Sequence, residues 1–579
     1  MQNSDSAAIR SKLLLVGLFV LFSIFTVRLF YLQVIRHGYY VAEANKVQVS
    51  KETIPASRGQ IYAMDGNNPV PLVLNETVYT VFADPQEIED AGKIKAALNR
   101  VAGGNVVKGF DDDLGSKELR YVVLARQVSR DQAEMLKKED LAGVGFQAAD
   151  RRVYPEGSLA AQVLGFVNSE GNGQYGVEGK LDDRLRGAPG RLQAVTDVRR
   201  IPLTIGHDDI RQPAKDGDDL VLTIDRNVQS YAEQALKIGL ERAKATKGSI
   251  VIMDPNNGEV MAMANYPTYE PAKFNEVTDA AAFNNGVVSE PYEAGSVLKT
   301  LTVGTGLDTG AISPNDTFNN TGVVYVDGED FRNVEEDPIN PAATMTDILR
   351  YSLNTGVIYV LQQMGGGQVN RQARETFYDY LVNHYRFSKL TGIDLAGEQP
   401  GVVNRGGNNV DYAAMTFGQG MDVTMIQSAS AFSAAINGGT YYKPHVVKGS
   451  LDGSDVRENK PEVVATNVLS AKTSAELRDM IWQGRKQGFF GKFDPDGYKV
   501  GGKTGTSQVI DPKTGKYSDD NSIGSYLGFG GVDTPRYVIM VRVEDSKLTG
   551  GYEGTTAAGP IFNDVSNWML NYLQLQPKR

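Results

Sequence analysis

Three groups of residues in this 579-residue chain have the types and spacings that nucleophilic chemistry requires. In Tyr292-Glu-Ala-Gly-Ser-Val-Leu-Lys-Thr300, Ser296 and Lys299 stand three positions apart. If Gly295 ends a loop and Ser296 opens a helix, that spacing stacks hydroxyl and amine on one face, within hydrogen-bonding reach. A serine hydroxyl is inert at neutral pH until a base takes its proton, and a lysine serves as that base only when burial or a second cation favours its neutral form. A chain this long shows about one such pair by accident, so the remaining parts of the chemistry must be found downstream. They follow in order. Ser352-Leu353-Asn354 offers a hydroxyl and a carboxamide on alternate positions, and Lys503-Thr504-Gly505-Thr506 offers a cation followed by small residues. Each has an ordinary competitor: a helix cap for Ser352, a turn residue for Asn354, a surface charge for Lys503. The ordered set S-x-x-K, S-x-N, K-T-G is far more specific than its parts, and it points to serine acyl transfer.

These residues need rigid elements. Val500-Gly-Gly before Lys503 and Thr506-Ser-Gln-Val-Ile after it predict a strand. A second Lys-Thr-Gly, at 513–515, follows Asp511-Pro512 and precedes a polar run, so Lys513 reads as a solvated turn residue and only Lys503 as catalytic. Leu220 to Asp225 reads as a strand and Val228 to Ala243 as an amphipathic helix with Tyr231, Ala235, Leu236 and Leu240 on one side. Gly248 to Asp254 and Glu259 to Asn265 flank a Pro-Asn-Asn-Gly turn, predicting a hairpin. Ile523 to Phe529 and Arg536 to Val543 predict a second, and Pro560 starts an amphipathic C-terminal helix. The expected fold is α+β, with one central antiparallel sheet that the chain leaves and rejoins and an active-site helix buried against it.

Leu13 to Val27 carries no charge, and after Arg28 the apolar pattern resumes to Ile35. Counted from 13 to 35, this stretch spans a hydrocarbon core of about 30 Å at about 1.5 Å per residue. A cleaved signal peptide competes, but the run is long and no small-x-small cleavage site follows, which favours an uncleaved anchor. The expected arrangement is a tail at 1–12 on the cytoplasmic side, a transmembrane helix at 13–35, a mixed α/β region at 36–217, and a catalytic domain at 218–579 outside the plasma membrane. A polar break at Gln212 to Asp219 marks the last boundary. The arginines and glutamates of the middle region show no catalytic constellation and read as structural ion pairs.

A hydrophobic content of 41% and a charged content of 22% are those of a globular protein. A net charge of −11 argues against a nucleic-acid partner. The chain has no cysteine, which excludes disulfides and thiolate metal sites, and its four histidines lack metal-like spacing and support no Ser-His-Asp triad.

With these motifs in place, the chain resembles the class B penicillin-binding proteins, membrane-anchored peptidoglycan D,D-transpeptidases. The resemblance runs from about residue 28 to 570. It includes Arg58-Gly59 with Asp65-Gly66, Arg152-Val-Tyr154-Pro155, Gly176-Val-Glu178-Gly179, and Phe417-Gly-Gln-Gly-Met-Asp-Val-Thr424 running on to Asn437-Gly-Gly439. Asn354 and the Phe-Gly-Gln-Gly stretch look most like the division-specific septal enzyme. Ala294 stands where the family often has proline, and Ala63-Met64 departs from its usual Asp-Arg; neither removes a reacting group.

The resemblance implies that Ser296 attacks the carbonyl between the last two D-alanines of a peptidoglycan stem peptide while Lys299, with Lys503 nearby, accepts its proton. Backbone N–H groups of Ser296 and Thr506 would form the oxyanion hole, and Ser352 would pass the proton to the leaving D-alanine. Asn354 would hold the acyl amide, with Lys503, Thr504, Gly505 and Thr506 around the terminal carboxylate. No metal or cofactor is implied. Residues 36–217 would be a pedestal of the dimerisation type, β-lactams covalent inhibitors, and a membrane-embedded glycosyltransferase and other division proteins the partners. Hydrolysis, as in a D,D-carboxypeptidase or β-lactamase, uses the same motifs and stays open at this level, as does a non-catalytic division scaffold.

Overall fold

Apolar residues with nothing to pack against begin the chain: helix α1 (Asn3–Phe30) continues as one π-helical turn, Tyr31–Ile35. In this computed structural model, which describes residues 3–40, 49–116, 118–195, 210–334, 338–510, 517–548 and 552–578, Ile9–Ile35 is a 27-residue span of mean hydropathy 2.5, none of it buried by protein. The hydroxyls of Ser23 and Thr26 donate to the carbonyls of Phe19 and Phe22 at 2.8 Å. The span therefore offers few unsatisfied polar groups, the condition a hydrocarbon environment imposes.

The chain packs as two units, Met1–Arg58 with Arg186–Gly217, and Gly59–Leu185 with Asp218–Arg579. In the first, strands Val49–Ile54, Gly190–Val195 and Ile210–Gln212 form an antiparallel sheet with Gly190–Val195 in the middle. In the second, Leu220–Asp225 lies within a seven-stranded sheet, parallel to Ile61–Asp65 and antiparallel to Val447–Asp452. Arg152 donates from Nε to Glu178 at 2.9 Å and from Nη1 to Asn75 at 2.6 Å, the structural ion pairing expected of this region.

The elements around the candidate site follow from here in chain order. Helix α2 (Arg226–Ala243) is capped by Asp225, whose carboxylate accepts from Asn227 N and Val228 N. Strands β1 (Lys247–Met253) and β2 (Val260–Tyr266) form the first expected hairpin. Helices α3 (Lys299–Asp308), α4 (Met345–Arg350), α5 (Asn354–Met364), α6 (Met425–Ile436) and α7 (Ala471–Gln487) come next. Then come β3 (Lys499–Ile510), β4 (Tyr517–Gly531), β5 (Pro535–Glu544) and α8 (Gly559–Tyr572). The strands form one antiparallel sheet in the order β2-β1-β5-β4-β3, so the second hairpin and the sheet rejoined from far along the chain are both present.

Period-2 alternation sends successive side chains of this sheet into two cores. Ile250, Ile252, Ile539, Val541 and Val543 pack with α2 and α8, while Val251, Met253, Val538, Met540 and Leu527 pack with the helices on the other face. Burial on both faces is why these strands read as unbroken apolar runs. Edge strand β3 is held from behind. Arg485 of α7, with its side chain almost wholly buried, binds Asp494 through Nε and Nη2 at 2.9 and 2.6 Å, Asn563 of α8 at 2.7 Å, and the hydroxyl of Tyr526 on β4. Burial pushes the Asp494 carboxyl above the usual carboxylate range and Arg485 opposes that shift.

Removing one partner of a buried ion pair leaves the other charge uncompensated. Asp494→Ala is expected to destabilise the second unit by about 3–5 kcal/mol, read from its denaturant unfolding transition. A loss below about 1 kcal/mol, the range of a solvated pair, would show that water reaches the Arg485 guanidinium.

Candidate active site

The nucleophile motif begins not with an α-helix but with a 3-10 turn, Gly295–Leu298, which passes into α3 at Lys299. In 3-10 geometry residues three apart eclipse, which keeps Ser296 and Lys299 on one face. Tyr292 fixes the approach to this turn. Its backbone pairs with Val423 at 3.1 and 3.0 Å, its hydroxyl bonds Ser525 of β4 at 2.9 Å, and the Arg542 guanidinium lies 4.4 Å from its ring centre. Burial pushes the Tyr292 hydroxyl up to about 12. Ala294, where proline was the family expectation, sits at φ −73°, an angle proline also takes.

Gly295 has φ +63°, and a Cβ there would lie 2.7 Å from Thr506 O; its N–H donates to Gly418 O at 3.2 Å. The Phe417-Gly-Gln-Gly420 stretch thus docks on the nucleophile turn from one side and β3 from the other. Because β3 is an edge strand, part of its backbone faces this turn rather than β4. Thr506 N lies 3.4 Å from the same Cβ position, which puts the backbones of the two expected oxyanion donors side by side. Side chains at Gly501 and Gly502 would meet the rings of Phe529 and Tyr526 at 2.4 and 2.5 Å. The neighbouring strand's aromatics fold over these glycines and stiffen β3.

Lys299 is fully buried. Its Nζ donates to the main-chain oxygen of Ser352, to Ser352 Oγ at 3.1 Å and to Asn354 Oδ1 at 2.7 Å. Asn354 is oriented in turn by donating from Nδ2 to Arg332 O at 2.8 Å. Lys503 is also buried, and its Nζ donates to Thr504 O at 2.9 Å and to Thr504 Oγ1 at 3.2 Å. Ser296, Lys299, Ser352, Asn354, Thr504 and Thr506 all line a single cleft of about 570 Å³. Lys503 and Gly505 lie buried on β3 beside those threonines. The second Lys-Thr-Gly, with Lys513, lies outside the described residues. Arg350, Tyr351, Gln487, Phe489, Tyr552 and Thr555 also line the cleft. They belong to no motif, and only Phe417 and Gln419 of the further wall residues fall in a stretch the sequence singles out. Among the described residues no group of three His, Cys, Asp or Glu is placed to hold a metal.

Ser352 itself is in the left-handed conformation, φ +60°. It follows the C-cap of α4, where Leu353 N returns to Ile348 O at 3.0 Å, the Schellman closure that usually selects glycine. A side chain there costs about 1–2 kcal/mol, and that strain directs the Ser352 oxygens at Lys299. Comparing Ser352→Gly with Ser352→Ala, both without the hydroxyl, isolates the strain. The glycine variant should be more stable by about 1 kcal/mol in thermal or denaturant unfolding, and equal stabilities would show the turn to be unstrained.

Comparison with known proteins identifies the domain that carries this cleft. Residues 248–567 match the penicillin binding protein transpeptidase domain family, and residues 53–222 the penicillin-binding protein dimerisation domain family. The chain is 31% identical to stage V sporulation protein D of Bacillus subtilis, over 99% of this chain and 88% of the relative. It is 29% identical to peptidoglycan D,D-transpeptidase FtsI of Escherichia coli, over 95% and 89%. Among solved structures, a peptidoglycan synthetase from Bifidobacterium adolescentis superposes with TM-score 0.72 at 24% identity, covering 92% of this chain and 98% of that one. Penicillin binding protein 3 of Mycobacterium tuberculosis, complexed with aztreonam, superposes with TM-score 0.68 at 24% identity, covering 91% and 98%. With transpeptidase and dimerisation domains both matched and a relative at 31% identity along nearly its whole length, the chain belongs to the penicillin-binding protein family, in its class B form.

Proposed function

We propose that this protein is a peptidoglycan D,D-transpeptidase that cross-links stem peptides through an acyl-enzyme on Ser296 during septal wall synthesis. The observation that carries the reading is the convergence of Ser296, Lys299, Ser352, Asn354, Thr504 and Thr506 on one cleft, with the buried Lys299 amine bonded to Ser352 and Asn354. In the reaction, Ser296 Oγ attacks the carbonyl carbon between the two terminal D-alanines as Lys299 takes its proton. The oxyanion forms beside the N–H groups of Ser296 and Thr506, each donor worth about 3 kcal/mol. The C–N bond then breaks, and Ser352 hands a proton to the departing D-alanine. Asn354 aligns the acyl amide, while Lys503, Thr504, Gly505 and Thr506 receive the terminal carboxylate. An amine from a neighbouring stem peptide attacks the ester and restores the Ser296 hydroxyl.

In the same reading residues 13–35 cross the plasma membrane once, with residues 1–12 in the cytoplasm, residues 36–217 as pedestal and residues 218–579 as the catalytic domain outside. A membrane-embedded glycosyltransferase and other division proteins are its partners. The length of α1 and its lack of protein contact support the anchor.

A β-lactam mimics the D-Ala-D-Ala terminus, so penicillin G is expected to add covalently at Ser296 as a long-lived adduct seen by mass spectrometry of the intact protein. Labelling that survives Ser296→Ala would place the nucleophile elsewhere. Lys503→Ala should slow this acylation at least about a hundredfold, the scale of losing a main electrostatic contact to the transition state, whereas Lys513→Ala should change it less than about threefold. The opposite ranking of second-order rates would overturn the placement of the carboxylate site on β3.

A further inference from the structure

The cleft carries a cation that the acyl-transfer machinery does not use. Its described lining residues include no aspartate or glutamate, and two cations, Lys299 and Arg350. Lys299 is buried and bonded to Ser352 and Asn354. Nearby Arg332, whose carbonyl orients Asn354, is neutralised by Asp330 at 2.7 Å. Arg350 is exposed, ends α4 two residues before Ser352, and forms no ion pair among the described residues; its guanidinium lies 4.6 Å from the ring centre of Tyr351. A guanidinium lying over an aromatic ring still has N–H donors to offer a carboxylate. Its backbone is held firmly, since a Cβ on Gly484 of α7 would lie 3.4 Å from Arg350 N. In a protein of net charge −11, an arginine with no ion pair among the described residues, on the wall of a cleft whose described lining holds no carboxylate, marks a place for an anion.

We propose that Arg350 forms a second carboxylate subsite, which binds a carboxylate of the donor stem peptide upstream of the scissile D-Ala-D-Ala bond and so selects stems whose acid is free over stems whose acid is amidated. This rests on the transpeptidase reading above and adds to it a substrate preference. The terminal carboxylate belongs to the residues of β3, so Arg350 answers to a different group on the same peptide. Two positions can supply it: the α-carboxylate of a γ-linked D-glutamate at the second residue, or the distal carboxylate of a diamino-diacid at the third.

The test uses the full-length protein in detergent and synthetic pentapeptides ending in D-Ala-D-Ala, with both upstream carboxylates free or with one or the other amidated. Acylation of Ser296 is followed by mass spectrometry. The wild-type protein should be acylated about five- to tenfold faster by the free acid than by one of the two singly amidated peptides, the range of a charge-assisted hydrogen bond at a partly exposed site, and the slower peptide identifies the position. Arg350→Gln should remove that ratio and Arg350→Lys should retain part of it. A guanidinium that served only the carbonyl end of α4 would affect stability but not discriminate between peptides. The proposal is overturned if the wild-type protein treats all three peptides alike, or if Arg350→Gln keeps the wild-type ratio. Failure of the transpeptidase reading looks different: neither penicillin G nor any peptide would then label Ser296.

Discussion

A lysine amine held away from water is the constraint around which the catalytic half of this protein is arranged. Burying such a group without partners costs several kcal/mol, and here the partners are oxygens of Ser352 and Asn354. Meeting that requirement places demands on the backbone well outside the cleft. Ser352 must take a left-handed conformation at the end of α4, and Asn354 must be turned by the Arg332 carbonyl. Helix α3 must be buried along nearly its whole length, its threonine hydroxyls returned to carbonyls such as Leu301 O and Thr416 O. The same contacts that satisfy the amine bring the first two motifs together.

The second requirement is a firm edge strand beside the nucleophile turn. β3 lies at the end of the central sheet, where it would be the element most exposed to fraying. Three features counter this. Aromatic rings from β4 cover Gly501 and Gly502, the Arg485 network ties α7, β4 and α8 together behind the strand, and Tyr292 links the approach to Ser296 with Ser525 of β4. Ser525 lies opposite Gly505 in the β3–β4 register, so the turn and the Lys-Thr-Gly strand are fastened to the same segment of the sheet. Relative position within the site is thereby set by packing rather than by the motifs themselves.

Why the motifs could be read from sequence, while the walls between them could not, follows from the physics of each. Acyl transfer admits few residue types, so Ser296, Lys299, Ser352, Asn354 and Lys503 stand out in order as its candidates. The two hairpins are legible because strands buried on both faces become unbroken apolar runs between turn residues, as in Ile250 to Met253. By contrast, Arg350, Phe489 and Tyr552 reach the cleft from exposed positions of no particular period, and nothing local marks them. The parallel pairing of Leu220–Asp225 with Ile61–Asp65 joins segments more than 150 positions apart in the numbering and leaves no local trace. The glycines of β3 carry a different lesson, because a glycine in a strand announces a close approach without saying what approaches. At Gly501 and Gly502 it is an aromatic ring, and at Gly505 it is the main chain of Ala294, 2.8 Å from where a Cβ would stand.

The central claim is that an acyl group on a serine in this cleft passes to an amine rather than to water. The most direct measurement incubates the full-length protein with a D-Ala-D-Ala stem peptide and an amine acceptor, and quantifies D-alanine and both peptide products together by mass spectrometry. The account predicts one D-alanine released for each new amide bond to the acceptor. Release of D-alanine matched only by hydrolysed tetrapeptide, with no acceptor amide at any acceptor concentration, would contradict it.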